Sequence, residues 1–506
     1  MQVNEPALQP TSSIDDKPKE ACGVFGVFAP GESVAPLVFD GLYALQHRGQ
    51  ESAGMAVSDG EMITVVKDMG LVTQVFNERN IAALWGFLGI GHTRYSTTGS
   101  SAWHNAQPVY RSVGAAGFAL GHNGNLTNTE KLANELGMLP GSATSDSDLV
   151  AELVSNAHSD QNDEDSINLA AALEKVLPQL EGAFSFVLMD SQTLIGVRDP
   201  NGFRPLCLGK LETGWVLASE TPALDTIGAH FVREIEPGEM IVINSEGCHS
   251  VYPFPEERVN PKLCIFEFVY FARPDSILYG KEVHGTRRRM GELLAEQAPL
   301  AAVENPDDVL VIGVPDSGVP AAEGFAKRSG LPLGQGLVKN RYIGRTFIAP
   351  SQTQRANAVR RKLNPLRETI SGKRLIVVDD SIVRGTTTRA MVRMLREAGA
   401  AEVHLRISSP PFRWPCFFGI DTPDRNELLG AQLSVPEIAD YLAVDSLAYL
   451  SLENLVQAID RADAGFCNAC LTGEYPIEIP VDFTKEVLEV NVTAAEKVEQ
   501  ETLIND

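Results

Sequence analysis

The stretch Val377-Val378-Asp379-Asp380-Ser381-Ile382-Val383-Arg384-Gly385-Thr386-Thr387-Thr388 decides the fold of the second half of the chain. An apolar run at 375–378 stops at two carboxylates, passes through a small hydroxyl-rich loop and enters an amphipathic segment. That order predicts a strand, a phosphate loop and a helix N-terminus in series. The N–H groups freed at a helix start, with Thr386 and Thr387 hydroxyls beside them, suit a phosphate monoester. Asp379 and Asp380 can hold ribose hydroxyls directly or through Mg²⁺, which prefers carboxylate and phosphate oxygens. A phosphate cradle beside a diol grip describes a site for a 5-phosphoribosyl group. The plain alternative is an ordinary strand–turn–helix with an Asp cap. Dinucleotide and P-loop sites fit poorly, because the loop has neither Gly-x-Gly-x-x-Gly nor Gly-Lys-Ser/Thr.

The whole string resembles the PRPP-binding signature of type I phosphoribosyltransferases, which implies an α/β domain with a parallel sheet. Charge distribution agrees. The chain of 506 residues has a formal net charge of −24, which disfavours general binding to nucleic acid or to anionic membranes. Yet 337–389 holds twelve Lys and Arg against three Asp and Glu. A basic island in an acidic protein, adjoining a phosphate loop, points to a compact polyanion. Hydrophobic content of 44% and charged content of 21% describe a globular chain, and no apolar run reaches the length of a membrane span.

The organisation changes along the chain. From 22 to about 250, short β-rich segments at 23–28, 54–57, 88–92, 118–122, 183–189, 194–197 and 215–219 alternate with helical patterns at 35–45, 147–157 and 167–180. Many strands with a few helices between them give an α+β layered domain. From about 307, a strand at 309–314 leads to a helix at 320–329, and 375–378 leads to a helix at 388–398. Another strand follows at 403–407. Repeated βαβ units mean a parallel sheet, with ligands at the carboxyl ends of its strands. Residues 251–306 bridge the halves and include the aromatic run 266–271. Residues 476–506 read as an acidic tail. Residues 1–21 carry three Pro and no apolar core, so they are not a secretory signal.

A second constellation lies in the first half: Cys22-Gly23-Val24-Phe25-Gly26, Gln46-His47-Arg48-Gly49-Gln50, His92-Thr93-Arg94, His122-Asn123-Gly124-Asn125 and Ser145-Asp146-Ser147-Asp148. A cysteine at a strand start is usually a small core residue. If residues 1–21 are removed, however, the α-amino group of Cys22 can serve as the base for its own thiol. Asn123 and Gly124 can offer a side-chain amide and a backbone N–H to an oxyanion. Arg94 can fork onto an α-carboxylate and Asp148 can receive an α-ammonium, the two charged handles of glutamine. Taken singly, each has a structural reading: Arg94 a surface ion pair, Asn123 a turn residue, Asp148 a helix cap. Together they resemble the class II, N-terminal nucleophile glutaminase domain. That resemblance implies an αββα sandwich with Cys22 as nucleophile, Asn123 and Gly124 as oxyanion hole, and Arg94, Thr97 and Asp148 as glutamine contacts.

A class II glutaminase followed by a type I phosphoribosyltransferase resembles the glutamine phosphoribosylpyrophosphate amidotransferase family. The likeness extends over 22–476 and includes FEFVYFARPDS at 266–276, GVPDSG at 313–318, KNRYIGRTFI at 339–348 and SSPP at 408–411. It implies hydrolysis of glutamine and transfer of ammonia to C1 of PRPP, the first step of purine synthesis. It further implies one Mg²⁺ per subunit at Ser317, Asp379 and Asp380. PRPP contacts follow at Lys339, Arg341, Asp379, Asp380, Ser381, Arg384, Gly385, Thr386 and Thr387, and an ammonia channel is walled by Tyr342 and Ile348. Cys264, Cys416, Cys467 and Cys470 match the ligands of a [4Fe–4S] cluster, one per subunit, in one branch of the family, with a Cys₄ zinc site as the alternative. The expected organisation is a cleaved propeptide at 1–21, a glutaminase at 22–250, a link at 251–306, a transferase with a cluster region at 307–475 and the tail. A cytoplasmic homotetramer regulated by purine nucleotides is the family expectation. Two rivals share part of this pattern: a regulator that keeps the PRPP signature, which would need a DNA-reading head, and the hexosamine-forming synthase, which pairs this glutaminase with a different second domain.

Overall fold

The computed structural model describes residues 22–95, 101–113, 116–139, 143–159, 168–301, 303–340, 362–422, 424–461 and 465–480. Residues 1–21, expected from the sequence to be a propeptide, lie outside them, as do Thr97, Arg341, Tyr342, Ile348 and 481–506.

In the first half the elements that matter for the site are β1 (Gly23–Phe28), β2 (Ser52–Ser58), β3 (Leu88–Arg94), β4 (Ala116–Leu126), α1 (Asp146–Ser159) and β5 (Gly182–Met189). A seven-stranded sheet runs in the order His230–Glu234, Cys207–Lys210, Trp215–Ala218, β1, β3, β2, Ile63–Met69. A six-stranded sheet runs Gly247–Val251, Met240–Asn244, Leu194–Arg198, β5, β4, Val109–Val113. Strand β1 is buried along its whole length. Its period-two alternation sends Val24 and Phe28 into the space between the sheets and Phe25 and Val27 against the outer helical layer. Helix Ala35–Ala44 covers one sheet; α1 and helix Leu169–Val176 cover the other. The result is the αββα sandwich expected from the sequence.

The second half begins earlier than its strands do. Helix α2 (Val283–Gln297) lies in the segment read as a link, and it packs on α3 (Val319–Ser329). The two axes approach through small residues: a Cβ on Gly291 would stand 1.8 Å from the Ala321 carbonyl oxygen, and one on Gly324 would stand 1.9 Å from that of Arg288. Strands β6 (Val309–Gly313), β7 (Arg374–Asp379), β8 (Glu402–Ile407) and β9 (Ser446–Tyr449) form a parallel sheet in that order, with α4 (Thr386–Glu397) after β7. Apolar cores lie on both of its faces. Parallel strands must be joined by crossovers, and this leaves their carboxyl ends free to carry loops at one edge. The aromatic run forms a π-helix, Glu267–Phe271.

Candidate active site

Cys22 immediately precedes β1, at the end of the sandwich where β3 finishes in Arg94. Its Sγ donates to the Tyr95 carbonyl at 3.2 Å and accepts from the Tyr95 N–H at 3.4 Å. Burial pushes the thiol up to about 11, with the Tyr95 amide and the Arg94 guanidinium pulling the other way. A cavity opens beside it, lined by Cys22, Arg94, Tyr95, Gln107, His122, Gly124, Ser145, Asp146 and Ser147. Asn123 lies on β4 opposite Ser185 of β5. It is fully buried beneath the cavity wall, next to Gly124, which lines it, and among the described residues neither its amide nitrogen nor its amide oxygen has a hydrogen-bond partner. Such an orphaned amide is rare, because it costs about 1–3 kcal/mol unless a ligand completes it. Gly124 has φ +150°, and a Cβ there would stand 2.0 Å from the Ala183 carbonyl oxygen. Glycine is required at this turn of the strand.

Asp148 and Asp146 divide differently from the sequence expectation. Asp148 forms an ion pair with Arg111 and does not line the cavity. Asp146, the first residue of α1, does line it. Asp146 accepts from the N–H of Leu126 at 3.2 Å and of Ser147 at 2.8 Å, and stands 3.5 Å from His122 Nδ1. Burial raises its carboxyl, but His122 and these N–H donors outweigh burial and hold it below the usual carboxylate range. A cue was present in the sequence. Asp146 falls three, four and seven residues before Leu149, Val150 and Leu153, the buried face of α1, whereas Asp148 falls four before the outward Glu152. His122 is a second residue the sequence reading passed over: Nδ1 is 3.1 Å from Ser147 Oγ, and Gln107 Nε2 donates to that same hydroxyl at 2.9 Å.

In the second half, β7 finishes in Asp379 and the loop begins with Asp380, both buried. Asp380 accepts from the hydroxyls of Ser317 and Ser381, the latter at 2.6 Å, and its N–H donates to Asp379 Oδ1 at 2.9 Å. Gly385 caps α4 with φ +77°, which aims the N–H groups of the first turn, at Thr386 and Thr387, along the helix axis. Arg384 pairs with Glu427 at 2.5 Å and Lys339 with Asp316 at 2.8 Å. Two carboxylates and a hydroxyl suit Mg²⁺, which takes few protein ligands and completes its shell with phosphate oxygens and water.

Four of the other six cysteines converge. Cys264 and Cys467 are register partners on two short parallel strands, Leu263–Cys264 and Phe466–Cys467. Cys470 follows in the next turn, and its carbonyl accepts from the N–H groups of Arg413 and Trp414 at 2.9 and 3.0 Å, which brings in Cys416. Burial raises the Cys470 thiol well above its ordinary range, and Cys416, Cys264 and Cys467 each raise it further, so all four lie in one electrostatic neighbourhood. Among the described residues no three Cys, His, Asp or Glu side chains close around a single ion position. Four converging soft thiols are the ligand type of a [4Fe–4S] cluster or of a Cys₄ zinc site.

Comparison with known proteins agrees with this geometry. Residues 92–226 match the family model for a glutamine amidotransferase domain, and 291–408 match that for a phosphoribosyl transferase domain. The amidophosphoribosyltransferase of Mycobacterium leprae is 53% identical over 477 residues, covering 92% of this chain and 83% of that protein. Two solved structures superpose over nearly the whole fold. One, described as the allosteric regulatory enzyme of purine biosynthesis, has TM-score 0.84 and 43% identity, and the match covers 93% of this chain and 100% of the other. The other is the glutamine PRPP amidotransferase of B. subtilis complexed with ADP and GMP, with TM-score 0.83, 42% identity and coverage of 92% and 100%. With a glutaminase cavity in one half, a diacidic phosphate loop in the other and relatives of this identity across both, the chain belongs to the amidophosphoribosyltransferase family.

Proposed function

We propose that the chain runs the family reaction through two separate sites, one making ammonia and the other using it. In the first, Cys22 Sγ attacks the side-chain amide carbon of glutamine, ammonia leaves, and water then releases glutamate from the thioester. Burial keeps the thiol protonated at neutral pH, so the reaction needs a base. Removal of residues 1–21 would expose the Cys22 α-amino group within reach of its own thiol. Arg94 forks onto the α-carboxylate. Asp146, held ionised on the cavity wall, receives the α-ammonium in place of Asp148. The orphaned Asn123 amide and the Gly124 N–H receive the oxyanion that forms at the amide oxygen; Thr97 is a further glutamine contact.

In the second site, ammonia attacks C1 of PRPP as the C1–O bond to pyrophosphate breaks, giving 5-phosphoribosylamine. Asp379 and Asp380 hold the ribose hydroxyls and, with Ser317, one Mg²⁺ per subunit, which when bound neutralises charge growing on the leaving group. Ser381, Gly385, Thr386 and Thr387 cradle the 5-phosphate. Lys339, Arg341 and Arg384 supply positive charge near pyrophosphate, and Tyr342 and Ile348 wall the ammonia path. Cys264, Cys416, Cys467 and Cys470 hold one [4Fe–4S] cluster per subunit, which ties the link to the C-terminal region. The chain works as a cytoplasmic homotetramer under purine-nucleotide control, in keeping with the ADP and GMP held by the B. subtilis relative. Among the described residues no helix is long and apolar enough to cross a membrane.

The observation that carries the reading is the gathering of Cys22, Arg94, Gly124 and Asp146 around one cavity in the same chain as the Asp379–Asp380 loop. Pyrophosphate release from PRPP tests it. Release that requires Mg²⁺ and either glutamine or ammonia is expected; glutamine turnover with no pyrophosphate would point to the hexosamine-forming alternative.

A further inference from the structure

Four charged side chains, Arg48, Arg204, Glu220 and Glu267, are fully buried where the glutaminase meets the linking and C-terminal segments. Arg48 Nε donates to the backbone carbonyl of Cys22 at 3.1 Å. Its other nitrogens reach Glu220 at 2.5 Å and both oxygens of Glu267 at 2.8 and 3.0 Å. Glu267 also accepts from Arg204 at 3.2 Å, and Arg204 donates twice to the Phe418 carbonyl, at 2.8 and 3.0 Å. Phe418 stacks on Phe203 at 4.4 Å, and the neighbouring Phe417 carbonyl accepts from Asn125 of β4 at 2.9 Å, two residues from Asn123. Glu267 begins the π-helix, whose carbonyls at Phe268 and Ala272 are held by Arg287 of α2, both at 2.8 Å.

Buried ion pairs are poor devices for stability, since desolvation offsets much of their attraction. Arg48 instead has a rigid, planar fork, and four of its five N–H donors are directed onto Cys22, Glu220 and Glu267. One of them fixes the carbonyl of the residue that carries the thiol. That bond sets the Cys22 backbone torsion, and therefore where the sulfur and the α-nitrogen stand relative to the oxyanion strand. We propose that Glu267 is a positioning residue for glutamine hydrolysis: through Arg48 it sets the Cys22 backbone, and through Arg204 it ties that setting to the 416–418 loop. The inference rests on the reading of Cys22 as nucleophile. It assigns Glu267, more than two hundred positions away in sequence, to the glutaminase rather than to the transferase whose link it occupies.

The test is Glu267→Gln in the full-length protein, assayed once its N-terminus is confirmed to be the same as in the wild type. Side-chain shape is kept and the charge that orients both guanidinium groups is lost. A misplaced nucleophile costs about 10²-fold for shifts near an ångström. The expected result is a fall of about 10- to 100-fold in glutamine-dependent kcat, with glutamine KM and ammonia-dependent synthesis each within about threefold of wild type. A glutamine-dependent kcat within about twofold of wild type would overturn the proposal, as would equal loss of both activities, the mark of a structural role. If Glu267→Gln does not fold, Arg204→Lys serves: a single ammonium cannot hold Glu267 and the Phe418 carbonyl together, so the same selective split is expected, and a uniform loss overturns it. Cys22→Ala is run beside them. Persistent glutamine turnover in Cys22→Ala would sink the nucleophile assignment itself, whereas its abolition with a silent Glu267→Gln would sink only the positioning role.

Discussion

The two halves solve opposite problems with opposite constructions. The glutaminase site is assembled from the ends of β1, β3 and β4 and the start of α1, brought together across two antiparallel sheets, and its central groups are enclosed. Asn123, fully buried beside Gly124, has an amide with no partner among the described residues. The transferase acids are adjacent residues where β7 gives way to its loop, buried as well, with Asp380 already engaged by the hydroxyls of Ser317 and Ser381. Acyl transfer at a neutral amide gains most from fixed dipoles in a dry pocket. Displacement of pyrophosphate handles several negative charges at once, and it gains from acids that hold a cation and a diol at the carboxyl end of a sheet. Preorganisation by fixed dipoles and preorganisation by a charged loop should therefore fail in different ways.

The largest effect should come from the loop. Asp380→Asn removes a fully buried charge from the ribose and Mg²⁺ grip while keeping volume. Synthesis should fall by about 10²- to 10³-fold with glutamine and with ammonia alike, and circular dichroism should be unchanged. Near-normal PRPP turnover would remove this loop from the site.

The cysteine centre tests whether the two halves share a structural anchor. Purified protein should be brown, with about four irons and four sulfides per chain. Cys467→Ser should be colourless and poorly soluble, because binding free energy of a centre formed only in the folded state is folding free energy. One zinc per chain in colourless, anaerobically purified wild type would move the assignment to a zinc site; stable, active and metal-free protein would remove it.

A smaller and more selective effect separates Asp146 from Asp148. Asp146→Asn should raise glutamine KM about 10- to 100-fold, the loss of a charged hydrogen bond of about 1.5–3 kcal/mol. Ammonia-dependent synthesis should be untouched. Asp148→Asn should shift glutamine KM by less than about threefold, because its partner is the half-exposed Arg111. The reverse ranking would restore Asp148 to the cavity.

Much of this was legible in the chain. Strand 23–28 and the helix near 35–45 were readable from apolar runs and Gly punctuation, and the αββα layering and parallel sheet followed from the two motif sets. What escaped has physical reasons. Strand Ile63–Met69 carries Lys67 and Asp68 and pairs only at a sheet edge, so its pattern is half polar. Helix α2 hides in a Glu- and Arg-rich segment, because its apolar stripe is thin, with Val283, Met290 and Leu294 as its large members, and its close approach to α3 is made at Gly291 and Gly324. Asp146 was passed over for a neighbour two positions on, since motif matching located the pair of acids but only helical phase tells which one faces inward. The buried Arg48–Glu267–Arg204 chain joins residues too distant in sequence for any local pattern to reveal.

The central claim is that ammonia is made at Cys22 and used at a separate site. The most direct measurement is the rate of pyrophosphate release by Cys22→Ala with each nitrogen donor. Glutamine-dependent release should fall by about 10³-fold or more, while release with ammonia stays within about twofold of wild type. Loss of both, or survival of both, would contradict the account.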